Sequence, residues 1–357
     1  MAEEKALLLD DPRQITPAAF DRARDHGERL AVLLNYAVLA PSILNVQPWR
    51  FRIEDDTLAL YIDRSRALPV TDPTGRELTI SCGAALLNLR VAARAFGQDP
   101  EVDTLPDPDD ADLLARVRLR AASPSEPDRR LRDAIPARRT NRGAFEDRPL
   151  PKDLVDALRA AVASEGAALT FLLEAGEARD RVAALIADAE LIHLGNPAFR
   201  RELIEWAWRR IGKAQQREGE ARWRLGAAGY TPEPVNQPEV AHAIAAAASR
   251  TLTSDAEAAI VARSRAEAAP ALALLTTPED DRRAWLAAGQ ALQRALLVAT
   301  ASGISASFLS PPVEIPHLRP QVGEAFGAAG VPQLLLRFGY GPEIAAAPRR
   351  PTEEVVA

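Results

Sequence analysis

The sequence predicts an α+β fold of two tandem, related units, each a sheet flanked by helices, with a helical insertion in the second. Three observations carry this. Sliding the sequence by 206 positions lays Thr71, Arg76, Gly83, Ala85, Leu86, Ala93, Ala95 and Gly97 on Thr277, Arg282, Gly289, Ala291, Leu292, Ala299, Ala301 and Gly303. The helical segment Leu30 to Leu39 has a counterpart at Asp153 to Val162, and each half closes on an apolar strand, Leu113 to Leu119 and Leu334 to Phe338. The section from Leu191 to about Arg250 has no partner in the first half. Two unrelated Ala/Leu-rich helices are the alternative to a repeat.

Leu30 to Leu39 is almost wholly apolar and free of Gly and Pro, which reads as a buried helix. Pro41 ends it, because proline cannot extend the hydrogen-bond ladder and pushes the preceding residue out of the helical region. Ser42 to Gln47 then forms an irregular polar loop. After Pro48, Trp49, Phe51 and Ile53 alternate with Arg50, Arg52 and Glu54; Asp55-Asp56 turns the chain, and Leu58, Leu60 and Ile62 alternate again, as in a hairpin. Leu78 to Phe96 has helical periodicity, and Gly97 stands where a C-capping glycine would. The boundary falls at Ala121 to Pro136, where Ala-Ala-Ser-Pro-Ser-Glu-Pro-Asp reads as a Pro/Ser/charged linker before a short turn of helix, and it divides the chain into residues 1–125 and 126–357.

In the second half, Asp153 starts a helix, Leu169 to Leu173 a strand and Ala178 to Ile192 a further helix. Residues 191–250 carry Trp206, Trp208 and Trp223 among many arginines and are broken by Gly226, Gly229, Pro232, Pro234 and Pro238. That composition suits a helical flap over the surface. Strand Leu272 to Thr276 and the repeated helix resume the unit.

Composition narrows the function. A chain of 357 residues, 47% of them apolar, can bury a sizeable core. The net charge of −6 argues against nucleic acid as a partner. No apolar run approaches the roughly 20 residues needed to span a bilayer, and the first residues lack a signal-peptide pattern, so the expectation is a cytoplasmic protein with no membrane partner. Cys82 is the single cysteine, which leaves no intramolecular disulfide and no multi-cysteine metal site; its apolar helix marks it as inert packing.

Arg138, Arg139, Thr140 and Arg142 make the best anion site in the chain, since guanidinium forks and a hydroxyl bind phosphate through charge-assisted hydrogen bonds. Arg337, in the last strand, and Arg349-Arg350, near the C-terminus, are candidates to reach the same phosphate. The alternative for each is a solvated basic segment. Dinucleotide, Walker, nucleophile-elbow and zinc-protease motifs are all missing, and His26, His193, His242 and His317 are scattered. No metal site follows. A phosphate site without nucleophile or base points to a phosphorylated cofactor that brings its own chemistry.

Ala40-Pro41-Ser42-Ile43-Leu44-Asn45-Val46-Gln47-Pro48-Trp49-Arg50-Phe51 resembles the nitroreductase superfamily motif whose Pro-Ser, Asn and Gln lie against the isoalloxazine of FMN. Arg138-Arg139-Thr140-Asn141-Arg142, followed by Phe145, Asp147, Arg148 and Pro149, resembles that superfamily's phosphate motif. The order of the two is inverted relative to ordinary nitroreductases, whose FMN lies between the subunits of a homodimer. The arrangement is similar to the Acg family of actinobacterial FMN-binding proteins, a fused nitroreductase pseudo-dimer, as are Asp63-Arg64-Ser65-Arg66, Thr71-Asp72-Pro73, Ser81-Cys82-Gly83-Ala84-Ala85 and the stretch Trp285 to Arg294.

The resemblance implies one FMN per chain. Arg138, Thr140 and Arg142, joined by Arg349 or Arg350, would hold its phosphate, and Pro41, Ser42, Asn45 and Gln47 would face its ring. The family places a backbone donor to flavin N5 in the segment containing Ser307, Leu309 and Ser310; because Pro311 and Pro312 have no N–H, the donor falls to Ser310 or a residue just before it. The chemistry would belong to the flavin, with no catalytic side chain and with NAD(P)H as transient reductant. Three activities stand open: a nitroreductase-type oxidoreductase for nitro, quinone or related small acceptors; an FMN-sequestering protein whose flap covers the flavin; and a dehydrogenase dedicated to one biosynthetic intermediate. With both half-sites in one chain, a monomer is expected.

Overall fold

The computed structural model describes residues 7–218, 223–226, 229–232 and 255–357, and side chains within these except at 208–232. The first unit contains helices α1 (Pro17–Asp21) and α2 (His26–Ala37), strands β1 (Trp49–Glu54) and β2 (Thr57–Ile62), helix α3 (Arg76–Ala95), and strands β3 (Gln98–Thr104) and β4 (Leu113–Ala121). Helix α4 (Glu126–Ala137) leads to the second, which starts with α5 (Lys152–Ala163) and β5 (Ala168–Leu172). Next come α6 (Glu177–Gly195), α7 (Pro197–Glu218), the short strands β6 (Trp223–Gly226) and β7 (Gly229–Pro232), and α8 (Asp255–Glu267). The unit closes with β8 (Ala271–Thr277), α9 (Arg282–Ala301), β9 (Ser305–Phe308), α10 (Pro311–Glu314), α11 (Arg319–Phe326) and β10 (Val331–Gly339).

The two four-stranded sheets share one topology. Their orders are β1-β2-β4-β3 and β5-β8-β10-β9, and all pairings are antiparallel. The units differ in their connections. β1 and β2 are joined by the tight turn Asp55–Asp56, with Asp55 at φ 52°, whereas residues 173–270 lie between β5 and β8.

That difference is written in the strands. β4 reads Leu-Leu-Ala-Arg-Val-Arg-Leu-Arg-Ala and alternates, with Arg116, Arg118 and Arg120 exposed on one face while Ala115, Val117 and Leu119 pack against α2 and α3 on the other. β8 and most of β10 are buried throughout. Leu334, Leu336 and Phe338 face a core with α5 and α9, and Leu335 faces a second core with α6, α8 and α11. An antiparallel sheet with one wet face alternates, and one covered on both faces cannot.

The helices α3 and α9, which hold the 206-residue repeat, pack against each other reciprocally. A Cβ on Gly83 would fall inside van der Waals contact of the Leu286 carbonyl, and one on Gly289 would do the same to the Ile80 carbonyl. Ile80 in turn belongs to the core of the second unit and Leu286 to that of the first. Because 80 and 286 differ by 206, as do 83 and 289, the crossing is the self-complementary pattern of a twofold interface. Between the helices, buried Gln293 donates to Asn88 Oδ1 at 2.6 Å, and Arg90 donates to Gln290 Oε1 at 2.6 Å.

Several expectations need correction. The short turn after the linker is the 12-residue helix α4, capped by the Ser125 hydroxyl, which accepts from Asp128 N–H, with Pro127 tolerated in its first turn. Helix α2 stops at Ala37, ahead of Pro41, because Leu39 and Ala40 donate three residues back, to Tyr36 and Ala37, and tighten the chain. The flap, expected to be helical, includes the hairpin β6–β7, whose strands end and begin at the anticipated breaks Gly226 and Gly229. Trp, Leu, Tyr and Thr favour strands. Pro234, Pro238 and His242 lie outside the described residues, as do the side chains of Trp208 and Trp223. No helix among the described residues is long and apolar enough to cross a membrane.

Candidate functional site

The loop after α2 holds an unusual backbone. Leu44, Asn45 and Gln47 have φ of 43°, 56° and 53°. Left-handed conformations cost an L residue roughly 1–3 kcal/mol and persist where surroundings over-determine them. Here they do. Ser42 Oγ accepts from Gln47 N–H at 2.9 Å, and Ser81 Oγ on α3 accepts from Ile43 N–H at 3.3 Å. Asn45 Nδ2 donates to Pro348 O at 3.1 Å, while Gln47 Oε1 accepts from Arg350 N–H at 2.8 Å. Pro41 is buried beneath the loop and Ser42 is half-buried at its start. The C-terminal segment thus returns from the second unit to close this loop, and its last residue, Ala357, donates to Phe51 O on β1.

The arginine segment is fixed from the other side. Thr140 forms a parallel bridge with Ala306, and Asn141 N–H donates to Ala306 O at 2.9 Å, so the segment runs beside β9. Arg337, a candidate for the anion, is turned towards the chain itself. Its Nη2 donates to Gly143 O at 2.8 Å and Asn141 O at 3.3 Å, and its guanidinium lies 4.2 Å from the Phe145 ring centroid. It braces the arginine segment. Thr140 is half-buried and Arg142 exposed.

Arg138 is the informative side chain. It is 5% exposed; Nη2 donates to Leu39 O at 3.3 Å, but Nε and Nη1 are buried with no hydrogen-bond partner. Arg349 Nη2 donates to the same Leu39 carbonyl at 3.2 Å, and its Nη1 donates to Asn45 Oδ1 at 3.2 Å. Two guanidinium groups from opposite ends of the second unit therefore converge at the foot of the first unit's loop. Burial, with Arg139 and Arg13 adding like charge, pushes Arg138 down to about 10. It still carries its proton at neutral pH. A buried cation whose donors point at nothing costs several kcal/mol, so the arrangement suits an anion. Arg350 lies alongside, its Nη1 donating to Gln47 O at 3.2 Å and standing 3.7 Å from Asp63.

A third piece is the corner after β9. Ser307 is buried, and Leu309 N–H donates to Leu335 O at 2.9 Å. Ser310 accepts at its carbonyl from Val313 N–H at 2.8 Å, and its hydroxyl is buried without a partner. With Leu309 engaged and Pro311 and Pro312 lacking N–H, the Ser310 amide is the candidate donor at this corner.

Helix α7 covers the loop. Trp206 Nε1 donates to Leu44 O at 3.1 Å, and the Arg66 guanidinium sits 5.1 Å from the Trp206 ring. Glu202 accepts from Val70 N–H and Thr71 N–H, both at 2.8 Å, and from the Thr71 hydroxyl at 2.5 Å. Below, His193 stacks on Phe199 and lies 3.8 Å from Glu314. Sequence reading did not single out Glu202 or Arg13; a glutamate on a charged helix carries no local signal. Cys82 is buried with its Sγ 3.6 Å from Pro48 O, and burial pushes its thiol up.

Comparison with known proteins agrees in kind. The family model described as the nitroreductase family matches residues 135–340. Two Mycobacterium tuberculosis proteins share the name "Putative NAD(P)H nitroreductase". The one distinguished as Rv3131 is 36% identical over 349 residues, covering 95% of this chain and 94% of its own. The other, acg, is 32% identical over 330 residues, covering 89% and 92%. Among solved structures, the FMN-dependent nitroreductase NfnB from Mycobacterium smegmatis in complex with NADPH is 19% identical, with a TM-score of 0.38, over 64% of this chain and 97% of that one.

Proposed function

The chain belongs to the nitroreductase family, and from that premise we propose that it is an FMN-dependent oxidoreductase, moving reducing equivalents from NAD(P)H to a small organic acceptor of the nitro or quinone class. The observation that carries this reading is Arg138: a buried guanidinium with two donor nitrogens unpaired, beside Arg349 on a shared carbonyl. A phosphomonoester dianion satisfies such donors, and bidentate guanidinium recognition fits its geometry.

In this reading Arg138 and Arg349, with Thr140, Arg142 and Arg350 near them, hold the phosphate. The loop Pro41, Ser42, Asn45 and Gln47 is the wall for the ring, held rigid by the bonds to Ser81 and to the C-terminal segment. Ser307 and Leu309 support the corner from which the Ser310 amide donates to the ring. When bound, FMN supplies hydride acceptance and donation, so the protein's part is binding, orientation and electrostatics. A fixed N–H dipole favours negative charge where it develops. One arginine segment and one loop per chain support a single FMN, and both walls coming from one chain support a monomer as the working unit, an internal pseudo-dimer of residues 1–125 and 126–357.

The test is direct. Purified protein should be yellow with about one FMN per chain, and anaerobic mixing with NADPH or NADH should bleach it. A colourless chain that cannot be reconstituted would overturn the reading.

A second reading has its own observation. Trp206 and Glu202 fasten α7 to the loop wall and to Val70–Thr71, which favours a protein that retains FMN beneath α7 with little turnover. Bound flavin that neither nicotinamide reduces, but dithionite does, would select it.

A further inference from the structure

Arg76 opens α3 in the first unit, yet most of what its guanidinium holds belongs to the second. Its Nη1 donates to Gln333 O at 2.5 Å and reaches Gln333 Oε1 at 3.3 Å. Its Nη2 donates to Val313 O at 3.3 Å and to the neighbouring Glu77 carboxylate at 2.9 Å. The residue is 6% exposed.

These partners frame Ser310. Gln333 lies on β10 two residues before Leu335, whose carbonyl takes Leu309 N–H at 2.9 Å. Val313 lies on α10, and its own N–H donates to Ser310 O at 2.8 Å. One guanidinium therefore ties the strand on one side of Ser310 to the short helix on the other. Helix α10 has four residues and begins Pro311-Pro312. Val313 N–H and Glu314 N–H both close on Ser310 O, but a single turn is too short to be stable by itself, so its direction is set from outside. The unpaired Ser310 hydroxyl does not anchor the corner either.

We infer that Arg76 is a positioning residue that aims the Ser310 amide: a strut from the first unit that fixes the corner of the second. The inference rests on the reading of Ser310 as a donor to FMN. Two donors at separate backbone points need the planar fork of arginine, which a lysine ammonium does not reproduce.

Arg76→Lys and Arg76→Gln test this by two measurements. In both variants the amides of Phe308, Leu309, Ser310, Val313 and Glu314 should exchange with solvent at least tenfold faster than in the parent, a readout that needs no flavin. In the FMN-loaded proteins the dissociation constant for FMN should stay within about twofold, because the phosphate is held elsewhere. The reduced form should be disfavoured about tenfold, a midpoint potential lower by about 30 mV for a two-electron couple. Lysine behaving as glutamine confirms that geometry matters; lysine restoring the parent potential overturns the strut in favour of a charge effect. Bound FMN with unchanged potential in both variants also overturns it. A parent protein that binds no FMN refutes the functional reading alone, and the exchange rates then decide whether Arg76 holds the corner. Arg76→Lys keeps the cation beside Glu77, so a folded variant is at hand if Arg76→Gln fails to fold.

Discussion

Arg138 lies in a protein whose net charge is −6 and still has Arg139 and Arg13 as its nearest charged influences. Removing it discards a buried cation and a binding donor together. Arg138→Ala should therefore keep or raise the melting temperature of the flavin-free protein while weakening FMN binding by roughly 10- to 100-fold, as a charge-assisted contact of about 1.5–3 kcal/mol implies. Fluorescence titration against the parent measures it, and unchanged affinity would place the phosphate elsewhere. Glu77 gives a pH prediction. Burial raises its carboxyl to about 7 against the opposing pull of Arg76. A folded value above the unfolded one of 4.5 means its stability contribution is full below about pH 4.5 and is lost as pH rises through about 7. Melting temperatures from pH 5 to 8 should fall more steeply for the parent than for Glu77→Gln, which keeps an acceptor for Arg76.

Among the elements, α7 and the loop it covers show how far local sequence reaches. The motif Pro41 to Pro48 announced a rigid polar loop; its three left-handed residues were not legible, because neither Leu44 nor Gln47 favours that region and only tertiary bonds hold them there. Trp206 stood out as one tryptophan of several, but its donation to Leu44 O depends on where α7 lies in space. Trp206→Phe keeps the ring and deletes the donor. The expected loss is about 0.5–1.5 kcal/mol from the Leu44 contact, read as faster exchange in 197–207, and a higher rate of flavin reduction by NADPH if α7 restricts access. An unchanged rate counts against occlusion. β4 and β10 illustrate the opposite case, since alternation against a continuous apolar run already distinguishes a sheet with one wet face from one covered on both.

For the molecule as a whole, the two units meet at Gly83 and Gly289, where helix backbones touch. Any side chain there must push the units apart, and overpacking of this kind costs typically 1–3 kcal/mol. Gly289→Ala should lower the melting temperature by several degrees, roughly 2–4 °C per kcal/mol for a chain somewhat smaller than this one. It should also weaken FMN binding, since Arg138 and Leu39 come from different units. Calorimetry with and without FMN separates the two effects, and a variant as stable as the parent would mean that the crossing can relax. The sequence by itself determined the paired units, the helix cores, most strands and the arginine clusters proposed as the anion grip, because periodicity, capping glycines and clustered arginines are local or repeat along the chain. Only the tertiary structure decided that Arg337 braces the arginine segment, that Arg138 and Arg349 share one carbonyl, and that Arg76 reaches across to Gln333 and Val313. Each depends on which backbone carbonyl lies within about 3 Å of a guanidinium, and long flexible side chains encode no direction until the fold supplies their partners.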